Sequence, residues 1–158
     1  MKKIIFLSLI SLLFLHCTKI DNSQKEKDDL LIKGYFDKKK DYFELHKIKP
    51  IKTESGLYYS IDPETNKNTG KQPSENATVR ISYTGKLLND SIFDTSIGSE
   101  ISLSNTIQGW KEGIVKFKVG NKGQLFIPSH LGYGKTEKSK IPASSVLVFE
   151  VEVLEIVR

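Results

Sequence analysis

The run of residues 146–157 near the end of the chain alternates between apolar and charged side chains in its central part. Its apolar members share one side of an extended chain: Leu147, Phe149, Val151 and Val153. Glu150 and Glu152 occupy the other side. A period of two is typical of a strand with one buried face. Such a strand needs neighbouring strands and a cover for its apolar face, so the chain must fold around a sheet packed on another element.

Shorter runs predict the neighbouring strands and the cover. Apolar and polar residues alternate over 79–84, and strand-like composition recurs at 56–61, 92–93 and 124–127. One stripe recurs at steps of three and four residues, as on one side of a helix: Ile107, Trp110, Ile114 and Phe117. Gly120 is expected to end this helix as a C-cap. These patterns predict an α+β domain, with an antiparallel sheet covered by a single short helix.

The N-terminus has the pattern of an export signal. Two lysines precede the apolar run 4–15, which is too short to span a bilayer, since a spanning helix needs roughly 20 residues. The only cysteine, Cys17, then stands where bacterial lipoproteins carry their lipidated residue, although His16 replaces the usual small residue before it. An ordinary secretory signal and an uncleaved anchor are the alternatives. We expect residues 1–16 to be a lipoprotein-type signal peptide and Cys17 to be lipidated.

The segment 17–52 is rich in lysine and acidic residues and has low hydrophobicity, which favours a solvated polar tether. Its scattered leucines and aromatic residues could form one or two short amphipathic helices. Their irregular spacing sustains no coiled coil, so a monomer is favoured over a dimer. We therefore place the folded domain at 53–158. The localisation expected from the lipid is a membrane-anchored lipoprotein that faces the periplasm or an outer surface.

Charge and residue inventory exclude several function classes. The formal net charge is +5; two lysines lie in the signal, and ten lysines against seven acids in 18–52 account for the remaining +3. The domain is thus nearly neutral and has no nucleic-acid motif. His46 and His130 lack partners at metal-ligand spacing, and no serine stands in a nucleophile elbow. We expect no metal, no cofactor and no nucleic-acid partner.

Several motifs occur in a fixed order in the second half of the chain. They are Tyr83-Thr84-Gly85, Phe93-Asp94, Gln108-Gly109-Trp110, Gly132-Tyr133-Gly134, Ile141-Pro142 and Leu147-Val148-Phe149-Glu150-Val151. Together they resemble the FKBP-type peptidyl-prolyl isomerases, from about residue 53 to 158 and most strongly from 79 onward. The resemblance implies an antiparallel half-β-barrel wrapped around the short helix. It also implies an enzyme that accelerates cis–trans rotation about Xaa-Pro bonds, here in proline-containing exported polypeptides.

The implied reaction suits a site made mainly of aromatic and aliphatic groups. Rotation about a peptide bond has a barrier of roughly 18–20 kcal/mol because resonance keeps the amide planar. The planar amide is more polar than the twisted one, so an apolar pocket favours the twisted form, and selective hydrogen bonds can favour it further. The reaction requires no covalent step, metal or cofactor.

The resemblance assigns roles to nine positions. Trp110 would form the pocket floor beneath the proline ring, and Tyr83, Phe93 and Phe149 would form its walls. We group five residues as catalytic: Tyr83, Asp94, Ile107, Trp110 and Tyr133. We group four as substrate-binding: Phe93, Thr106, Ile141 and Phe149.

The polar roles follow from the same matching of positions. The Ile107 backbone N–H and the Tyr133 hydroxyl would each donate to a substrate carbonyl. The Asp94 carboxylate would accept a hydrogen bond from the pocket tyrosine and face the substrate carbonyl. Ile141 would line a flap loop.

Other interpretations remain open at this point. The chain between residues 94 and 101 is a few residues shorter than in familiar members and lacks an arginine often found there. Ile101 replaces a common aromatic residue, and Thr106 replaces the usual valine. A non-catalytic peptide-binding or chaperone module is therefore the alternative, and a surface adhesin is a third, supported only by the tether. Taken singly, each apolar site residue could also be ordinary core.

Overall fold

The computed structural model describes residues 22–66 and 69–158. The expected signal peptide 1–16 and Cys17 lie outside these residues. Within the described part of the chain, no helix is both long enough and apolar enough to cross a membrane.

The domain is built on one sheet of six strands in the order β1-β2-β5-β6-β3-β4, and every neighbouring pair is antiparallel. The strands are β1 Ile51–Lys52, β2 Tyr58–Ile61, β3 Thr78–Leu87, β4 Ile92–Ser102, β5 Lys122–Ile127 and β6 Leu147–Ile156. The alternating run at the end of the chain forms β6, which lies between β5 and β3. Its inner face is buried along Leu147, Phe149, Val151 and Val153, whereas its outer face is partly or fully exposed from Glu150 onward, and this difference accounts for the alternation in the sequence.

The inner face of the sheet is covered by a short helix, as the sequence predicts. We number the helices α1 (residues 22–38), α2 (Lys40–Leu45) and α3 (Gln108–Ile114). The apolar side of α3 joins the inward residues of β6 and β3 in the main core. The α+β fold, with an antiparallel sheet and one helix on its inner face, is confirmed.

Two glycines let α3 lie close to β5. A Cβ atom on Gly113 would stand 2.7 Å from Cδ2 of Leu125, and a Cβ atom on Gly109 would collide with the side chain of Ile127. At both glycines, the added Cβ atom would lie closer to its neighbour than Cβ atoms in real proteins do. Close packing of the helix on the strand therefore requires the absence of a side chain at these positions.

The predicted C-cap of α3 is wrong. The helix ends at Ile114, and tight turns from Lys116 N–H to Gly113 O and from Phe117 N–H to Ile114 O satisfy its last carbonyl groups. Phe117 is still fully buried, which explains why the apolar stripe extends past the helix. Gly120, at φ +90°, instead belongs to the turn before β5, where its N–H donates to the Val153 carbonyl at 2.7 Å.

The segment expected to be a polar tether is part of the folded unit from residue 22 onward. Helices α1 and α2 pack on the outer face of the sheet and form a second apolar cluster with it: Ile32, Phe43, Tyr58, Phe126, Val146 and Val148. Strand β1 also begins two residues before the expected domain boundary at 53. The physical reason is that the outer face is apolar where β2, β5 and the start of β6 meet, so it needs a cover of its own.

Candidate active site

A cavity of about 390 Å³ opens on the inner side of the sheet, between β3, β4 and the start of α3. Its lining residues are Tyr83, Asp94, Ile101, Asn105, Thr106, Ile107, Trp110, Tyr133 and Phe149. The structure thus brings together seven of the predicted site residues. Phe93 and Ile141 do not line the cavity. Asn105, at the end of the short 3-10 helix Leu103–Asn105, lines it without any signal in the sequence.

The floor of the cavity is the indole ring of Trp110, which is only 4% exposed. The ring centroids of Tyr83 and Phe149 lie 5.1 and 5.2 Å from that of Trp110, each with an interplanar angle of 87°. These are edge-to-face arrangements, which aromatic quadrupoles favour. Because the three rings come from α3, β3 and β6, the packing of the helix on the sheet sets the shape of the floor and walls.

Phe93 supports the wall from behind. Its ring lies 5.5 Å from the ring of Phe149 at 84°, and both rings cross over Gly85 of β3. A Cβ atom on Gly85 would stand 2.5 Å from Cε2 of Phe93 and 2.9 Å from Cε1 of Phe149. Because Gly85 has no side chain, the rings of Phe93 and Phe149 can pack directly against the backbone of β3.

We expect Gly85→Ala to displace the Phe149 wall and to destabilise the fold by about 1–3 kcal/mol, the usual range for overpacking. Urea unfolding measures the loss. The fluorescence of Trp110, the only tryptophan, reports the change in the cavity. Gly34→Ala is the matched control, because a Cβ atom at that helical position meets nothing within 4 Å. Equal stability of the two variants would contradict the close packing over Gly85.

Tyr83 and Asp94 form a hydrogen-bonded pair at the rim. The Tyr83 hydroxyl donates to Oδ2 of Asp94 at 2.8 Å. Burial, followed by this hydrogen bond and the negative charge of Asp94, raises the pKa of Tyr83 from 10.0 to about 12. Tyr83 therefore remains a neutral donor throughout the physiological pH range.

This shift predicts a loss of stability at alkaline pH. Because the pKa of Tyr83 is higher in the folded state than in the unfolded state, its contribution is complete below pH 10.0 and is lost as the pH rises to about 12. Spectroscopic titration of tyrosinate in the full chain and in Tyr83→Phe should differ by one step near pH 12. If the step that Tyr83→Phe removes lay near pH 10 instead, the hydrogen-bonded pairing of Tyr83 with Asp94 would be contradicted.

Ile107 presents backbone groups at the N-terminus of α3. Its carbonyl accepts from the N–H groups of Trp110 and Lys111 at 3.0 and 3.3 Å. Its own N–H has no acceptor among the described residues and is free for an external carbonyl. The preceding Thr106 hydroxyl donates to the Leu103 carbonyl at 2.7 Å, so this side chain stabilises the turn that presents Ile107.

Tyr133 and Ile141 have different surroundings although both lie in the loops between β5 and β6. Tyr133 follows the 3-10 helix Ser129–Leu131, is 36% exposed and lines the cavity. Ile141 is buried in the main core and pairs with Lys138 across a tight loop. The structure thus places Ile141 behind the rim.

The outer face of the sheet carries a second depression of about 420 Å³, lined mainly by serine, threonine and charged residues. It lacks the buried aromatic floor of the inner cavity, and charged side chains line it: Asp62, Lys122, Glu150 and Glu152. Among the described residues, no group of three or more His, Cys, Asp or Glu side chains could hold a metal ion.

The family model described as FKBP-type peptidyl-prolyl cis-trans isomerase matches residues 69–154. The chain is 38% identical over 145 residues to the FKBP-type peptidyl-prolyl cis-trans isomerase FkpA of Buchnera aphidicola subsp. Schizaphis graminum, covering 89% of this chain and 55% of that protein. It is 40% identical over 109 residues to the FKBP-type 22 kDa peptidyl-prolyl cis-trans isomerase of Escherichia coli K12, covering 66% of this chain and 52% of that protein.

Solved structures agree with these sequence matches. The crystal structure of FkpA from Escherichia coli superposes with a TM-score of 0.64 at 27% identity, over 99% of this chain and 73% of that one. A peptidyl-prolyl cis-trans isomerase from Pseudomonas syringae gives the same TM-score at 26% identity, over 80% of this chain and 96% of that one. The chain spans about half the length of the relatives that it matches in sequence. With the family model matching more than half of its residues, the chain belongs to the FKBP-type peptidyl-prolyl cis-trans isomerase family.

Proposed function

We propose that this protein catalyses cis–trans isomerisation of Xaa-Pro bonds in exported polypeptides. The observation that carries the proposal is the buried indole of Trp110, enclosed by the rings of Tyr83 and Phe149 at the bottom of an open cavity. Such a surface matches a proline ring in size and polarity. Membership of the family and the order of the motifs support the same reaction.

The cavity can lower the rotation barrier in two ways. Its apolar floor disfavours the planar, more polar amide relative to the twisted amide. Around the floor, the free N–H of Ile107 and the hydroxyl of Tyr133 can each donate to a peptide carbonyl and hold the chain on either side of the rotating bond. The Asp94 carboxylate, fixed by the Tyr83 hydroxyl, faces the carbonyl that turns during rotation.

The test is NMR-exchange or protease-coupled isomerisation of a short Leu-Pro peptide by the full chain, with and without a macrolide inhibitor of this family. Inhibitable turnover supports the proposal. A folded chain without turnover would sink it and favour a non-catalytic binding module. Turnover that resists the macrolide would also support isomerisation. The resistance would then be attributed to a pocket wall altered at Ile101 and by the short segment before it.

We further propose that the protein is a lipoprotein anchored to a membrane through Cys17, with the domain in the periplasm or at an outer surface. The basic start, the short apolar run and the single cysteine support this. Lipid stabilises attachment by about 0.8 kcal/mol per buried methylene group. Labelled palmitate should enter the full chain but not Cys17→Ser, and His16→Gly should speed processing. Equal labelling of the full chain and Cys17→Ser would refute the anchor.

We also propose that the tethered protein is a monomer. The irregular apolar spacing in the N-terminal segment supports this, because it sustains no coiled coil. Light scattering measures the mass directly, and a doubled mass would overturn the proposal.

A further inference from the structure

Helix α1 carries a buried carboxylate that the proposed chemistry does not use. Asp28 is fully buried, on the side of α1 that packs against the sheet. Its Oδ2 accepts hydrogen bonds from the N–H and the hydroxyl of Ser129, at 2.8 and 2.6 Å. Its Oδ1 accepts from the side-chain amide of Gln24 at 2.7 Å. Charged groups are almost never fully buried unless they are paired. Here neutral donors hold the carboxylate, and two of them belong to a single residue of a distant loop.

Ser129 connects this carboxylate to the loop that carries Tyr133. The Ser129 carbonyl accepts from the N–H groups of Gly132 and Gly134, at 3.0 and 2.8 Å. These two glycines flank Tyr133. Gly134 adopts φ +58°, a conformation that other residues rarely adopt, so the loop turns sharply just after the tyrosine. The backbone around Tyr133 is thus held by Ser129, and Ser129 is held by Asp28.

The carboxylate itself is fixed relative to the sheet. One turn after Asp28, Ile32 is fully buried on the same side of α1. Farther along, the ring of Phe36 lies 4.8 Å from the ring of Phe126, which is in β5 just before the loop. Helix α1 therefore cannot move without disturbing the strand from which the loop of Ser129 continues.

We propose that Asp28 is a positioning residue for Tyr133 in the isomerase site. This inference rests on the proposed function. Tyr133 is 36% exposed, so packing alone does not fix its hydroxyl, and its placement depends on the backbone of the loop. Asp28 sets that backbone through Ser129 and aligns the hydroxyl with the carbonyl of a bound proline-containing peptide. The N-terminal helix thereby contributes to a site that it does not line.

The experiment compares three variants of the full chain with the unmodified protein. Asp28→Ala removes the acceptor of both Ser129 donors, whereas Asp28→Asn retains one side-chain oxygen that can accept from them. Asp29→Ala is the matched control. The Asp29 carboxylate ties the same helix to Tyr58 at 2.7 Å and to Lys52 at 2.5 Å, without a bond to Ser129. We measure kcat and KM on a Leu-Pro peptide, the melting temperature and the amide NMR signals of the two glycines.

We expect Asp28→Ala to lower kcat about tenfold, because misplacement of a group that contacts substrate is costly for catalysis. The amide signals of Gly132 and Gly134 should shift, and Asp28→Asn should recover most of the kcat. Asp29→Ala should lower the melting temperature but leave kcat within about twofold of the original value, since its loss does not reach the loop.

Two results would overturn the inference. One is full kcat with unshifted glycine amides in Asp28→Ala, and the other is an equal fall in kcat for Asp28→Ala and Asp29→Ala. If Asp28→Ala does not fold, Ser129→Ala decides instead. This variant loses the hydroxyl bond to Asp28 but keeps the backbone N–H bond. It should therefore shift the Gly134 amide signal and lower kcat, but by a smaller factor than Asp28→Ala. An unchanged Gly134 signal would overturn the proposal.

Failure of the proposed function gives a different pattern. If the unmodified chain shows no turnover, the isomerase proposal fails. The glycine amides and the binding of the Leu-Pro peptide, followed by Trp110 fluorescence, then decide whether Asp28 positions the Tyr133 loop. Shifted amides and weaker binding in Asp28→Ala, with neither change in Asp29→Ala, support the positioning role. No shift overturns it.

Discussion

Replacement of Trp110 by leucine is expected to lower kcat/KM for a Leu-Pro peptide by roughly 10- to 100-fold. The indole forms the apolar floor of the inner cavity, and the rings of Tyr83 and Phe149 pack edge-to-face against it. Leucine leaves that space partly empty, so a bound proline ring loses contact with an apolar floor. A 10- to 100-fold fall corresponds to about 1.4–2.7 kcal/mol of lost transition-state stabilisation. Protease-coupled isomerisation measures it.

Two further variants separate loss of the floor from loss of stability. Trp110→Phe keeps an aromatic face and should retain more of the turnover than the leucine variant. Ile114→Val alters a fully buried residue of the same helix that does not line the cavity. It should cost about 0.5–1.5 kcal/mol in unfolding free energy with kcat/KM unchanged. Turnover of the leucine variant equal to that of the original chain would show that the pocket assignment is wrong.

The sheet and its inner helix could be predicted because their signals are local. Val151 and Val153 alternate with Glu150 and Glu152 in one uninterrupted run, and β6 has the period that this alternation predicts. The stripe that contains Trp110 predicts α3 in the same way. Each of these patterns depends only on which side of a strand or helix a residue occupies, so no knowledge of the remaining fold is required.

The depth of the site residues could not be predicted, because it depends on long-range packing. Phe93 and Ile141 stand in the motifs as Trp110 does, yet the structure places the first behind Phe149 and the second in the core. Motif order says which residues gather at one end of the sheet, but not which of them reach the cavity. Asn105 reaches it only because a short 3-10 helix turns there.

The cover of the outer face was missed for a related reason. Charged residues dominate 22–45, and the few apolar residues that make the contact are spaced irregularly across a break between two helices. One signal was present in the sequence: Val146 and Val148 place apolar side chains on the outer side of a strand whose inner side is also apolar. A strand that is apolar on both sides needs two covers, and α3 supplies only one.

Phe126→Ala is expected to lower the free energy of unfolding by about 3–5 kcal/mol, the range for truncation of a buried aromatic residue. Phe126 is fully buried on the outer face of β5, on the side away from the cavity. Three rings from the N-terminal helices contact it, those of Tyr35, Phe36 and Phe43, at centroid distances of 5.8, 4.8 and 6.3 Å. Urea unfolding of the full chain measures the loss.

A double-mutant cycle attributes this loss to the cover. If α1 packs on Phe126, the effects of Phe36→Ala and Phe126→Ala should not add, with a coupling of about 0.5–1.5 kcal/mol for one edge-to-face pair. Ile51→Ala, at a half-exposed position of β1, should change stability by less than about 0.5 kcal/mol. A solvated tether predicts a different result, because Phe126 would then already be in water, and its truncation would cost little and couple with nothing in α1. A small loss of unfolding free energy with additive effects would therefore support the solvated tether. It would also remove the basis for assigning Asp28 a role in the site, because α1 would then not be packed on the sheet.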